Sequence, residues 1–295
     1  MSDSTLFSVA DAFPDIMEAL KQQPREIQTG IDALDEELVT VSGKYVAVAG
    51  ETSTGKTDFC VSLAANRIST GNPVLFASIE VGEHTMLRRF ASHFANVYAP
   101  GTDATFQSEN GVKNLTPEQQ AALNGGVEMF EQCKQFLYLY DGSEKYGGKE
   151  MRIVEHIAVK AKEISRKHCV PCLVVCDYFQ LLATRESTGT ATEKFDALSH
   201  KLAQLAHETG SPVIVPCATN KDGSIRGSGQ VNYDNDITLH LSIDQAECSE
   251  DDLPALTIRP MIVHVKKNRD GRARARVKLD YRPASHRFTD RGGEL

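Results

Sequence analysis

The chain has 295 residues, of which 41% are hydrophobic and none is tryptophan, and its formal net charge is −8. No stretch approaches the ~20 apolar residues that a membrane-spanning helix requires, so the sequence predicts no contact with a membrane. The acidic balance argues against a protein that binds nucleic acid through a generally basic surface.

Apolar runs of strand length alternate with helical patterns along the chain, which predicts an α/β fold with a mostly parallel central sheet and helices on both faces. The predicted strands cover residues 44–49, 74–79, 136–140, 173–176, 212–216, 237–243 and 261–265. The predicted helices cover residues 56–69, 84–97, 117–133, 150–167 and 193–209. We therefore expect one domain over residues 26–291, with an N-terminal extension, 1–25, and a short tail, 292–295.

The segment GETSTGKT matches the phosphate-binding spacing G-x-x-x-x-G-K-[ST] at every fixed position, between a predicted strand and a predicted helix. Its glycines let backbone N–H groups turn toward phosphate oxygens, and the helix N-terminus beneath them favours anions. The lysine can contact the β- and γ-phosphates, and the last threonine can hold Mg²⁺. We expect ATP or another NTP here, bound by Gly50, Glu51, Thr52, Ser53, Thr54, Gly55, Lys56 and Thr57.

Two carboxylates follow predicted strands. Asp177 ends the apolar run LVVCD, which is the form of a Walker B aspartate that orders Mg²⁺. Glu80 ends the strand after the P-loop helix. Because parallel strands bring their C-terminal ends to the same edge, we expect Glu80 beside the γ-phosphate, where it can orient or deprotonate water. The alternative for Glu80 is a surface carboxylate at a strand end.

Seven scattered cysteines, several of them inside apolar runs, indicate reduced thiols in a cytoplasmic protein. Cys169 and Cys172 have the C-x-x-C spacing, but no second pair completes a zinc site, so we expect both to pack in the core. Residues 266–291 hold ten Lys and Arg against three Asp. This basic segment predicts contacts with a nucleotide or a phosphate backbone, and the alternative is an edge strand whose charges face water.

The order of these motifs resembles the RecA-type ATPase core, and more closely the hexameric replicative helicases of the DnaB family and the helicase halves of phage primase-helicases. The resemblance covers roughly residues 15–291. Besides the P-loop, the segments that carry it are TGIDALD (29–35), NPVLFASIE (72–80), LVVCDYFQLL (173–182), IRGSG (225–229) and VKKNRDG (265–271).

The resemblance implies an ATP-dependent DNA helicase that acts in replication as a homo-oligomer, expected to be a hexamer, on single-stranded DNA. It implies that Lys267 and Arg269 enter the active site of a neighbouring subunit. It also implies that a loop facing the central channel binds DNA through Lys221, Arg226, Gly227, Ser228 and Gly229. The N-terminal extension resembles the linker helix that packs on an adjacent subunit, and a primase or a loader is a candidate partner.

Two features differ from these helicases. They place a Gln or His that senses the γ-phosphate at the end of the fourth core strand, where this sequence has Ala218, so Thr219 or Asn220 would have to replace it. No helical collar or primase domain is expected before the core. Both differences leave open an alternative, a RecA-like oligomeric ATPase that serves as a regulatory switch or a recombination factor without unwinding.

Overall fold

The computed structural model of the chain describes residues 27–105, 115–141, 152–185, 189–220, 223–226 and 229–291, together with Met17. The predicted linker helix of the N-terminal extension lies outside the described residues, apart from Met17, which is helical and exposed. In the part of the chain that is described, no helix combines the length and the apolarity needed to cross a bilayer.

Within these described ranges, nine strands form one sheet in the order β3-β2-β4-β5-β1-β6-β7-β8-β9. The first six strands of this order, from β3 across the sheet to β6, pair in parallel. The remaining pairs, β6 with β7, β7 with β8 and β8 with β9, are antiparallel. The strands are β1 (Tyr45–Gly50), β2 (Val74–Ser78), β3 (Leu137–Asp141), β4 (Leu173–Asp177), β5 (Val213–Ala218), β6 (Ile237–Ile243), β7 (Arg259–Asn268), β8 (Arg276–Arg282) and β9 (Arg287–Asp290).

Two of the helices begin at capping motifs that are visible in the sequence. The helix Pro117–Cys133 starts with a capping box between Thr116 and Gln119, and a second box joins Thr190 to Glu193. In the described residues the helices are α1 (Asp32–Leu38), α2 (Lys56–Ser69), α3 (Glu83–Tyr98), α4 (Pro117–Cys133), α5 (Val154–His168), α6 (Ala191–Thr209) and α7 (Val231–Asp234).

Two apolar clusters cover the two faces of the sheet, as predicted for a parallel sheet between helices. One cluster contains Phe59, Phe76 and Phe90, and α2 and α3 contribute to it. The other contains Tyr45 and Phe179, with α5 and α6 against the opposite face. All residues of β1 and β2 are buried, because helices cover both of their faces.

The predicted α/β fold with a mostly parallel sheet is confirmed, but the sheet is larger than the sequence indicated. The predicted strand 261–265 is the middle of the longer β7, and β8 and β9 were not predicted. In β8 the exposed charges of Arg276 and Lys278 alternate with the buried side chains of Val277 and Leu279. The basic segment 266–291 therefore contains the end of β7 together with β8 and β9, of which β8 has one face in the core and β9 forms the edge of the sheet.

Candidate nucleotide-binding site

The C-terminal ends of the central parallel strands meet at one edge of the sheet. Gly50, at the end of β1, pairs with Ala218 at the end of β5. Ser78, at the end of β2, pairs with Asp177 at the end of β4. Because β4 also pairs with β5, all four strand ends are neighbours. The loops that follow them enclose a cleft of about 660 Å³, a volume typical of a site for a small-molecule ligand.

The segment 50–57 has the geometry of a phosphate-binding loop. Gly55 is left-handed, with φ 84°, and directly precedes α2, so the N-terminus of this helix lies at the loop, where it favours an anion. A Cβ on Gly55 would lie 3.0 Å from the Tyr281 ring, and a Cβ on Gly50 would lie 2.9 Å from the Leu241 carbonyl oxygen. Close packing therefore favours glycine at both positions, and the backbone conformation adds to this at Gly55.

The lysine of the loop is held by the loop itself. Lys56 Nζ donates to the carbonyl oxygens of Gly50 at 2.9 Å and Glu51 at 2.5 Å. Burial lowers the pKa of the Lys56 ammonium below its usual value. A partly desolvated cation at this position attracts phosphate strongly, because the surrounding medium screens its charge less than water does.

Five residues of the predicted loop line the cleft, and so do Glu80, Asp177 and Arg226. The loop residues are Thr52, Ser53, Gly55, Lys56 and Thr57. Gly50, Glu51 and Thr54 belong to the loop without lining the cleft. The structure thus brings most of the predicted phosphate-binding residues and both predicted carboxylates to one site, with Glu80 exposed and Asp177 buried.

Asp177 has the properties of a metal ligand. Its side chain is 1% exposed, and its Oδ2 atom has no hydrogen-bond partner among the described residues. Burial raises the pKa of Asp177 to about 6, although a hydrogen bond from Thr57 and the charge of Arg89 oppose the shift. A buried carboxylate oxygen without a partner, beside a threonine hydroxyl, offers hard oxygen ligands of the kind that Mg²⁺ prefers. Thr57 and Asp177 therefore fit the predicted metal.

A buried charge cluster supports the loop from below, and the sequence analysis missed it. Asp58, the residue after Thr57, accepts hydrogen bonds from Tyr281 and from Arg89, the latter at 3.1 Å, and lies 2.8 Å from His286 Nδ1. Burial pushes the pKa of Asp58 upward, but these partners outweigh it and the net pKa is lowered. The sequence offers one local signal for this cluster, an acidic residue in the first turn of the P-loop helix. Its partners Tyr281 and His286 lie far away in the basic segment 266–291, where the pattern of charges gives no sign of a contact with Asp58.

Lys267 and Arg269 are not among the residues that line this cleft. Asn268 pairs with Ile237, which in turn pairs with Val46 near the start of β1. The end of β7 therefore lies where the parallel strands begin, whereas the P-loop lies where they end. Lys267 Nζ donates to the Asn232 carbonyl oxygen at 2.8 Å, and Arg269 lies 3.4 Å from a carboxylate oxygen of the buried Asp236. Both contact the chain's own segment 232–236.

Of the residues predicted to bind DNA, the structure describes Arg226 and Gly229, while Lys221, Gly227 and Ser228 lie outside the described residues. Gly229 is exposed and does not line the cleft. Arg226 is exposed and lies against the end of β5, where its N–H donates to the Ala218 carbonyl oxygen at 2.8 Å. The loop that carries it therefore begins at the wall of the nucleotide cleft.

The C-x-x-C pair divides between core and surface. Cys172 is buried, as predicted, and burial raises its pKa to about 12. Cys169 is exposed at the end of α5, so the prediction that both cysteines pack in the core is wrong for this residue. It occupies the left-handed position that ends the helix, where the chain turns before it enters β4. Among the described residues, no group of three or more His, Cys, Asp or Glu side chains is placed to hold a metal ion, so the C-x-x-C pair is not part of such a site.

The fold and the site define a nucleotide-binding domain of the RecA type with a P-loop. The profile of the DnaB-like helicase C-terminal domain matches residues 26–290, and the chain belongs to this family.

Curated relatives agree with this assignment. The chain is 27% identical over 278 residues to the replicative DNA helicase DnaB of Pasteurella multocida strain Pm70, covering 89% of this chain and 55% of the relative. It is 25% identical over 296 residues to DnaB of Buchnera aphidicola subsp. Acyrthosiphon pisum strain APS, covering 94% of this chain and 60% of the relative. The chain therefore spans little more than half the length of these relatives.

Solved structures share the fold. The chain superimposes with a TM-score of 0.78 on a DnaB-like replicative helicase described with its interactions with primase, at 20% identity, covering 96% of this chain and 68% of that one. It superimposes with a TM-score of 0.74 on a second solved structure, an ATPase domain, at 21% identity, covering 98% of this chain and 99% of that one.

The raised pKa of Asp177 predicts a pH-dependent effect on stability. Near pH 8 the buried Asp177 is charged, so Asp177→Asn should raise the free energy of unfolding of the nucleotide-free protein by about 3 kcal/mol, which corresponds to a pKa raised from 3.8 to about 6. The gain should shrink as the pH falls through about 6 toward 3.8, the usual pKa of aspartate, because the buried wild-type side chain is then protonated and uncharged, like the asparagine. Urea unfolding between pH 8 and pH 4.5 measures this, with the exposed Asp251→Asn as control. A gain that does not change with pH would contradict it.

Proposed function

We propose that this chain is the motor domain of an ATP-dependent DNA helicase of the DnaB-like type, which hydrolyses NTP at subunit interfaces and moves along single-stranded DNA during replication. The observation that carries the proposal is the meeting of Lys56, Thr57, Glu80 and Asp177 in one cleft of a DnaB-family fold. Motor function needs this combination, because binding without a positioned carboxylate would give only a nucleotide-dependent switch.

The proposed reaction follows from the cleft. The loop amides and Lys56 bind the triphosphate, and Thr57 and Asp177 would hold Mg²⁺, which supplies charge neutralisation when bound. Glu80, exposed at the end of β2, orients the attacking water or accepts its proton. Asp58 and its partners keep the start of α2 in place under the phosphates.

The two ends of the subunit suggest how neighbours share a site. The P-loop lies at the C-terminal ends of the parallel strands, and the end of β7 lies at their N-terminal ends. Lys267 and Arg269 are therefore unsuited to act on their own cleft, and we assign them to the cleft of an adjacent copy, where assembly would exchange their contacts with segment 232–236 for the neighbour's phosphates. An arginine supplied in this way contributes on the order of 10³ to 10⁵ in rate.

The proposed DNA contacts are few per subunit, which agrees with the acidic chain. In a hexamer, six copies of the loop with Lys221, Arg226, Gly227, Ser228 and Gly229 would line one channel. Binding of phosphates by basic side chains and backbone amides does not depend on the base sequence of the DNA. We further propose a cytoplasmic location and a primase or a loader as additional partners.

The first prediction of this proposal concerns hydrolysis. Lys56→Ala should abolish turnover and weaken nucleotide binding, because it removes the charge on the β- and γ-phosphates. Glu80→Gln should bind nucleotide with unchanged affinity but hydrolyse at least about 100-fold more slowly, in line with general-base catalysis. Phosphate release and binding of a fluorescent nucleotide measure the two effects, and Glu83→Gln serves as the matched control. Turnover of Glu80→Gln near the wild-type rate would refute this role.

The second prediction concerns DNA. Replacing both Lys221 and Arg226 by alanine should weaken single-stranded DNA binding, and should reduce the slope of log affinity against log salt by roughly 0.7 per lost phosphate contact. Fluorescence anisotropy across a salt series measures this. The control replaces Lys160 and Arg166, on the exposed face of α5, which removes the same charge. An unchanged slope in the first variant would favour the regulatory-switch alternative.

The third prediction tests sharing between subunits. Arg269→Ala should bind nucleotide normally and hydrolyse slowly. Mixing it with the Lys56→Ala protein should restore part of the activity, because some interfaces then pair an intact P-loop with an intact arginine. If Lys267 and Arg269 serve only their own chain, as parts of a surface hairpin, the mixture stays as inactive as its components.

A further inference from the structure

Gln180 lies in the nucleotide cleft and has no role in the reaction described so far. It belongs to the 3₁₀ turn Phe179–Leu181, just after Asp177, and is one of the residues that line the cleft. Its amide oxygen Oε1 is buried and has no hydrogen-bond partner in the described part of the chain. Buried polar atoms are almost always satisfied, so this acceptor oxygen indicates a hydrogen-bond donor, such as the attacking water, that enters the cleft.

The neighbouring strand end offers the cleft no comparable group. Ala218 lines the cleft but carries only a methyl group. Thr219 also has a buried hydroxyl oxygen without a partner in the described part of the chain, but this residue forms a β-bridge with Ile225 and does not line the cleft. Asn220 is engaged in a turn, where its Nδ2 donates to Ser224 Oγ at 3.0 Å. Neither Thr219 nor Asn220 lines the cleft, so the structure does not bring either of them to the place expected of a γ-phosphate sensor.

We propose that Gln180 contacts the γ-phosphate and communicates its presence to the loop that carries Arg226. This inference rests on the proposed nucleotide hydrolysis. A side-chain amide offers N–H groups to a phosphate oxygen and a carbonyl oxygen that can accept from the attacking water. The water oxygen bonds to the γ-phosphorus, the bond to the β-phosphate oxygen breaks, and the water proton passes to Glu80, giving the nucleoside diphosphate and phosphate.

The link to the loop consists of two hydrogen bonds. Gln180 Nε2 donates to the Arg226 carbonyl oxygen at 3.0 Å. The Arg226 N–H donates to the Ala218 carbonyl oxygen at 2.8 Å. Both backbone groups of Arg226 are therefore held by residues of the cleft wall. A Gln180 amide that turns toward a γ-phosphate changes its bond to Arg226, and loss of the γ-phosphate restores it.

A comparison of nucleotides tests the γ-phosphate contact. In Gln180→Ala, affinity for a non-hydrolysable ATP analogue should fall about tenfold, while affinity for ADP should change less than about twofold, because only the γ-phosphate loses a partner. Gln180→Glu, which keeps the shape but repels phosphate, should show at least as large a loss. Gln204→Ala, on the exposed side of α6, is the matched control. Wild-type discrimination between the two nucleotides in Gln180→Ala would overturn the proposal.

A second measurement tests communication with the loop. The wild-type protein should bind single-stranded DNA with different affinity in the presence of the ATP analogue and of ADP, and Gln180→Ala should lose this difference. A variant that keeps it overturns the link to Arg226. If the wild-type protein binds nucleotide but not DNA, the helicase proposal fails while the nucleotide comparison still decides the role of Gln180. If it binds no nucleotide, both proposals fail.

Discussion

The parallel pairing of β2, β4, β5 and β1 is the constraint on which the rest of the site depends. It aligns four strand ends at one edge, so residues far apart in sequence become neighbours without any contact between their side chains being required. The helices on both faces bury these strands, and burial raises the pKa of Asp177, whose Oδ2 atom has no hydrogen-bond partner among the described residues. The pairing that stabilises the fold therefore also produces the chemistry of the cleft.

The antiparallel strands β7 to β9 contribute residues at both ends of the sheet. Near the P-loop, Tyr281 packs against Gly55, stacks on Phe288 at 4.3 Å between ring centroids and donates to Asp58. At the opposite end, the end of β7 carries Lys267, and Arg269 follows it. One meander thus supports the subunit's own phosphate loop and presents two cations at the far end of the sheet. Adjacent copies related head to tail would join these two ends, which is a heterologous contact of the kind that closes rings.

Patterns that repeat within one element were predictable from the sequence, and contacts between distant elements were not. The glycine spacing of the P-loop and the apolar run before Asp177 each identify their residues locally. In contrast, the sequence RVKLDYR alternates as a strand with one buried face does, but its charges equally favour a contact with phosphates, so a strand was only the alternative prediction for this segment. The hydrogen bond between Tyr281 and Asp58 joins residues 223 positions apart, so no local pattern announces it. Gln180 follows the same logic, because only the meeting of β4 and β5 brings it to Arg226.

The central claim is that the cleft converts nucleotide hydrolysis into movement along a single strand. Strand displacement on a forked DNA duplex tests it most directly, with the wild-type protein, Mg²⁺ and ATP, and with Glu80→Gln under the same conditions. The account predicts separation of the duplex by the wild-type protein in proportion to ATP consumed, and none by the variant although it binds the fork. Hydrolysis by the wild-type protein with the duplex left intact, across a range of protein concentrations that permits assembly, would contradict the claim and leave a nucleotide-driven switch.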